Sequence, residues 1–133
     1  MIVDADKAIL GRLASRVAKE LLKGQDIVVI NIEKAILSGK PSVIFDRFLE
    51  KIHRGGPHKG PFYPKYPDMI FRRVVRGMLP YKKQRGKEAF KRLRVHMGNP
   101  ENLQGEKIAK TSEELKAKYI TLHELSKKLG IHG

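Results

Sequence analysis

Between Arg72 and Arg94 the chain carries Arg72, Arg73, Arg76, Lys82, Lys83, Arg85, Lys87, Lys91, Arg92 and Arg94 against a single acid, Glu88. Such side chains neutralise anions, arginine as a planar fork of donors and lysine as a mobile point charge. On a free helix face this excess would repel itself, a cost that an anionic partner removes. Val74, Val75, Met78, Leu79, Ala89, Phe90 and Leu93 are threaded through the same stretch at helical spacing. One side is therefore expected to be anchored in a core and the other turned toward an anion.

A second cationic segment precedes it. From His53 the sequence reads HRGGPHKGPFYPKYP, with four of the seven prolines of the chain within it, too many for a helix or a central strand. The composition implies an extended arm over residues 53–67. Arg54, His58, Lys59 and Lys65 alternate there with Phe62, Tyr63 and Tyr66. Cations pair with phosphates and aromatic planes stack on unpaired bases, so these residue types suit single-stranded or folded nucleic acid. For Phe62, stacking on a base and tucking into the protein are both open.

Other chemistries find less support. A phosphate-cradling loop ending at Gly39-Lys40 needs a glycine at position 34 and Ser or Thr at 41, where Lys34 and Pro41 stand. Gly11 follows the first apolar run, but without the glycine triplet of a dinucleotide site. His53, His58, His96, His123 and His132 lack metal-ligand spacing with acids or thiols, and there are no cysteines. Asp4 and Asp6 are placed to cap the turn after a first strand, and Ser15 and Ser42 have no neighbouring His–Asp arrangement. The reading is no enzyme, no cofactor, no metal and no small-molecule substrate.

At 133 residues and a formal net charge of +14, the chain is expected to be one domain around one core. Residues 50–94 hold fourteen Lys/Arg against three acids and the remainder fourteen against eleven, so nearly all of the excess lies in that zone. One basic zone on a balanced body is the footprint of a polyanion binder. No apolar run reaches the ~20 residues that span a bilayer, and MIVDADKAILGRL lacks the order of a signal peptide. A cytoplasmic protein with no membrane partner is the expectation. Basic membrane-surface helices keep an apolar face exposed, whereas here it is committed to the core. No long recognition helix for duplex DNA is visible, and short elements with Gly/Pro-rich connections suit structured RNA.

The elements that must position these residues follow from periodicity. Met1–Ala5 reads as a strand. Leu10–Lys23 reads as a helix with Leu10, Leu13, Ala14, Val17, Leu21 and Leu22 inward, stopped at Gly24. Asp26–Asn31 reads as a strand buried on both faces, making a right-handed βαβ unit. A short strand at Ala35–Leu37 precedes a helix after Pro41, with Ile44, Phe45, Phe48, Leu49 and Ile52 on one face. Asp68 is placed to cap a helix ending at Pro80, its apolar side Ile70, Phe71, Val74, Val75 and Met78. A basic turn from Tyr81 to Gly86 leads to a short helix, then a strand over 94–97. Residues 99–110 read as loop, and Thr111-x-x-Glu114 and Thr121-x-x-Glu124 have capping-box spacing.

Several spaced motifs carry a resemblance. Val3-Asp4-Ala5 with Leu10-Gly11-Arg12-Leu13-Ala14-Ser15, Val28-Val29-Ile30-Asn31 with Glu33-Lys34, Ser38-Gly39-Lys40, Val75-Arg76-Gly77-Met78-Leu79-Pro80, Arg85-Gly86 and Leu93-x-Val95 occur in order. Over about the first 100 residues the chain resembles the ribosomal protein L-thirteen family of the large subunit. His53-x-Gly55-x-Pro57 and the basic turn after Pro80 are similar to its archaeal and eukaryotic branch. An insertion of the bacterial branch is missing between Gly24 and Ile27, and the tail over 99–133 is less similar.

The resemblance implies a three-layer α/β/α fold with a mostly parallel four-stranded sheet, and a place in the cytoplasmic ribosome. Its partners would be large-subunit rRNA and neighbouring large-subunit proteins, bound early in assembly. On the residues, the expected rRNA contacts are Arg54, His58, Lys59, Lys65, Arg72, Arg73, Arg76, Lys82, Lys83, Arg85, Lys87 and Arg92. Two alternatives remain: a regulatory RNA-binding protein acting outside the ribosome, and a nucleotide-dependent enzyme built on the βαβ start.

Overall fold

A computed structural model describes residues 1–53, 65–108 and 118–129, residues 51–53 by their backbone alone. The chain opens with β1 (Ile2–Asp4), α1 (Leu10–Leu22) and β2 (Ile27–Ile30). Positions 10, 13, 14, 17, 18 and 21 of α1 are all buried, the stripe a 3.6-residue period generates. Leu22 falls outside that stripe and is exposed, so its expected inward position is corrected and Ala18 takes the inner place. The helix ends in a Schellman motif: Gln25 N–H donates to Glu20 O at 3.2 Å and Gly24 N–H to Leu21 O at 3.1 Å, with Gly24 at φ +97°.

β1 and β2 are parallel, in the register Ile2↔Val28, Val3↔Val29 and Asp4↔Ile30. After a 3-10 turn (Ile32–Lys34), β3 (Ile36–Ser38) and α2 (Pro41–His53) follow, then α3 (Pro67–Met78), α4 (Gln84–Lys91) and β4 (Leu93–Val95). β4 pairs parallel to β2 on the side away from β1, Ile27↔Leu93 and Val28↔Arg94. Right-handed crossovers that step twice in one direction put their helices on one sheet face. In keeping with that, α1 packs against α3 and α4. Ile27, Val29, Val3 and Leu93 are buried on a shared face, while Ile2 and Val28 on the other are only half-buried. β2 is thus not covered on both sides along its length, as its apolar run had implied.

The parallel sheet has three strands among the described residues rather than the four the resemblance implied. A fourth lane exists only as a single bridge, where Asp4 N–H donates to Glu106 O and Glu106 N–H to Ile2 O, both at 2.9 Å. Gly105 permits this approach, since a Cβ there would lie 2.8 Å from the Asp4 nitrogen. β3 instead pairs antiparallel with β5 (Tyr119–Thr121), a strand the sequence reading had not separated from the tail. α5 (Leu122–Lys128) follows at once, with Thr121 Oγ1 accepting from Glu124 N–H at 3.1 Å as the capping spacing requires. Phe71, Leu13, Leu21, Ile27, Ile32, Ile70, Ile120, Leu122 and Leu125 are fully buried, so both strand groups share one core.

Three boundaries differ from expectation around the basic stretch. α3 begins at Pro67 with Tyr66 as its N-cap, so Asp68 sits inside the first turn rather than capping it, where its charge favours the helix dipole. Met78 is exposed and Leu79 takes the inward place at the end of that helix. α4 starts at Gln84, drawing Arg85 and Gly86 out of the expected turn into its first turn, and β4 runs over 93–95.

Candidate nucleic-acid interface

The turn after α3 is tight because Gly86 lies against it. A Cβ on Gly86 would stand 2.0 Å from Pro80 O and 2.9 Å from Tyr81 N. Only glycine lets α4 start this close to the end of α3. Lys83 N–H donates to Pro80 O at 2.9 Å, and Gly86 N–H to Lys83 O at 3.1 Å. The result is a compact ridge carrying Lys82, Lys83, Arg85 and Lys87, all exposed. None of these four side chains has an ion pair or a hydrogen-bond partner among the described residues. Glu88 is held by Gln84, whose Nε2 donates to its Oε1 at 3.3 Å.

This ridge is electrostatically costly for the fold alone. Helix starts favour acids because their first amides present positive partial charge. The first turn of α4 has no acid, and its N-cap, Lys83, makes no side-chain cap bond. Cations gathered at the positive end of a helix lower stability slightly, and an anion docked on them would reverse the sign.

The α3 arginines are arranged differently. Arg72 is half-buried; one of its guanidinium nitrogens donates to Leu93 O at 2.9 Å, and its Cζ lies 4.7 Å from the centre of the Phe90 ring. Phe90 meets Tyr81 edge to face, centroids 5.7 Å apart at 77°. The Arg76 guanidinium carbon stands 5.2 Å from the Tyr81 ring centre. Arg72, Phe90, Tyr81 and Arg76 thus form a ladder of cation, two aromatics and cation that joins α3 to α4. Cation–aromatic contacts contribute about 0.5–1 kcal/mol each at exposed sites. No sequence signal marked this ladder, because it depends on the angle between the two helices. Arg73 is half-buried and also engaged. Arg92 is half-buried and donates to Leu21 O at 3.1 Å, closing the C-terminal end of α1.

Of the twelve residues singled out from sequence, Lys82, Lys83, Arg85 and Lys87 are brought together on the ridge, with Arg72, Arg73 and Arg76 behind it on α3. Arg92 stands at the far end of α4. Lys65 is exposed just before α3, and its carbonyl accepts from the buried Ser126 Oγ at 2.6 Å, which ties the start of α3 to α5. Arg54, His58 and Lys59 lie outside the described residues, as does the first capping box, Thr111-x-x-Glu114.

At the C-terminal ends of the strands the polar residues serve the backbone. Asp4 Oδ1 accepts from Asp6 N–H at 3.0 Å and from Asn31 Nδ2 at 3.1 Å, capping the turn as its place implied. Glu33 Oε2 accepts from Gly98 N–H at 2.6 Å. A recess of about 520 Å³ beside them has Asp6, Lys7, Glu33, Lys34 and His123 in its lining, charges that balance. A hollow of about 490 Å³ between the start of α1, β3, α2 and α3 has Ile9, Ile44, Phe48 and Val74 in its lining together with Arg12 and Arg47, and no acid or histidine. Among the described residues no group of His, Cys, Asp or Glu is placed to hold a metal ion, and no helix is long and apolar enough to cross a membrane.

A mixed α/β body with a parallel sheet and an acid-poor cationic ridge makes this an α/β protein with a surface suited to a polyanion. The chain belongs to the ribosomal protein L13 family, whose sequence model matches residues 1–102. It is 54% identical to the large ribosomal subunit protein uL13 of Methanopyrus kandleri, over 97% of this chain and 86% of that protein. It is 49% identical to the uL13 of Archaeoglobus fulgidus, over 99% and 88%. Against the uL13 of Methanocaldococcus jannaschii it is 48% identical, over 97% and 96%. The tail that matched the resemblance less well is therefore spanned by relatives at nearly full length.

Proposed function

We propose that this chain is a structural constituent of the large ribosomal subunit that binds large-subunit rRNA and transforms nothing. The observation that carries the reading is the ridge: Lys82, Lys83, Arg85 and Lys87 stand exposed around an acid-free helix start, in a chain whose relatives bear the name of a large-subunit protein. Their ammonium and guanidinium groups neutralise RNA phosphates, while Arg72 and Arg92, through their carbonyl bonds, and Arg76, over the Tyr81 ring, brace the stretch that carries them. Arg73 on α3 and Lys65, just before the start of that helix, add further cations. Arg54, His58 and Lys59 add cations by sequence between α2, which takes in His53, and α3, which begins at Pro67, so that any arm is shorter than the 53–67 expected. The 133 residues act as one ribosomal-protein unit, joining the RNA early in assembly beside neighbouring large-subunit proteins in the cytoplasmic ribosome.

Fixing RNA helices by phosphate contact makes affinity a steep function of salt, because each neutralised phosphate releases counterions. With six or so phosphates engaged, log K falls with log salt at a slope of roughly −4 to −5. Filter binding of the full chain to a large-subunit rRNA transcript at several potassium chloride concentrations measures this slope. A value near zero refutes the reading.

A further inference from the structure

We propose a second phosphate seat, formed by Lys91 and Arg94 with Arg92 at the start of β2 and β4, where RNA backbone lies at the end of a lysine row along α4. The proposal rests on the RNA reading above and extends it to residues outside the ridge. Lys87 and Lys91 are four residues apart on α4, Lys83 stands at its N-cap, and all three are exposed. Positions four apart share one side of a helix, about 6 Å per step at a rise of 1.5 Å per residue. The one acid of the helix, Glu88, lies off that row and is bonded to Gln84.

The row leads into a recess of about 310 Å³ lined by Asp26, Ile27, Val28, Lys91, Arg92 and Arg94. Three cations therefore surround one acid. Among the described residues neither Lys91 nor Arg94 makes an ion pair, and Asp26 offsets only one of the three charges of the recess. Arg92 is held at 3.1 Å to Leu21 O, which fixes its planar fork while other N–H donors remain on the guanidinium.

Arg94 stands opposite Val28 in the β2–β4 register, and Ile2 opposite Val28 in the β1–β2 register. Ile2 and Val28 are the half-buried positions of the less covered sheet face. A phosphate between Lys91 and Arg94 places its ribose or base beside this apolar strip. Charge on one side and apolar surface on the other match the phosphate and the base of a nucleotide.

The test compares the full chain with K91Q/R94Q, D26N and K82Q/K83Q on one archaeal large-subunit rRNA transcript, across a potassium chloride series. K91Q/R94Q is expected to weaken binding about ten-fold and to flatten the log–log salt slope by roughly 1–2 units. D26N removes the one acid of the recess and is expected to tighten binding about two-fold, on the same electrostatic grounds. Unchanged thermal unfolding of the variants shows that the effect is on binding. If K82Q/K83Q weakens binding while K91Q/R94Q and D26N leave affinity and slope as they were, the seat is overturned and the recess faces solvent or a protein neighbour. If the unaltered chain itself shows no salt slope, the RNA reading fails and takes the seat with it.

Discussion

The two halves of the basic stretch use their cations in opposite ways. On α3, Arg72 and Arg76 are half-buried, each against an aromatic ring, and Arg72 also donates to the Leu93 carbonyl. On the turn and α4, Lys82, Lys83, Arg85 and Lys87 are exposed and have no partner among the described residues. The division follows the chemistry of the side chains. A guanidinium is planar and weakly hydrated, so it can stack and donate inside a protein at modest cost, while an ammonium keeps its water and stays out. Arg85 shows that position also counts, since a fork with no ring or carbonyl within reach remains outside. One half of the stretch thus braces the fold, and the other is available to an anion.

The most severe break of this arrangement is at its hinge. In Gly86→Ala the added methyl would meet Pro80 O and Tyr81 N, backbone atoms that cannot rotate away. The start of α4 must then move off the end of α3, separating the ridge from the ladder. Forced overpacking of this kind is expected to cost about 3 kcal/mol or more. Urea denaturation followed by circular dichroism measures it. A variant of unchanged stability would show that the turn is not set by this contact.

Arg72→Ala sharpens the comparison from the bracing side. It removes a charged donor to a half-buried carbonyl and one cation–aromatic contact, together about 2 kcal/mol. The loss is expected in the unfolding midpoint. Arg72→Lys should restore only part, because an ammonium lacks the flat face that lies over Phe90. If stability is untouched and only RNA affinity falls, Arg72 belongs with the ridge after all.

What the sequence made legible follows the same division. The apolar stripe of α1, its stop at Gly24 and the capping of α5 by Thr121 are local, governed by a period or by residues within one turn, and the structure repeats them except that Ala18 replaces Leu22 in the stripe. The concentration of charge between 72 and 94 needed only counting. The bracing roles of Arg72 and Arg92 were not legible, since their acceptors, the carbonyls of Leu93 and Leu21, are reached only through the fold. β5 escaped notice because three residues carry little pattern and its partner β3 lies far back in the chain. The half-open face at Val28 was hidden for a related reason: an apolar run shows that a strand can be buried, not how much lies over it.

The finest test lies at Lys83, where folding and binding pull against each other. Lys83 is the N-cap of α4 at φ −97° and ψ 151°, the extended conformation from which a short acceptor side chain bonds the first helical amides. Lys83→Asp supplies that acceptor and exchanges a cation at the positive helix end for an anion, together worth about 1 kcal/mol of stability. The same change takes one positive charge from the ridge and adds a repelling one. Thermal unfolding should therefore rise while affinity for the rRNA transcript falls, by about ten-fold if one phosphate contact is lost. Were Lys83→Asp to lower both quantities, Lys83 would be bracing the turn, and the line between the two halves of the stretch would have to be redrawn beyond it.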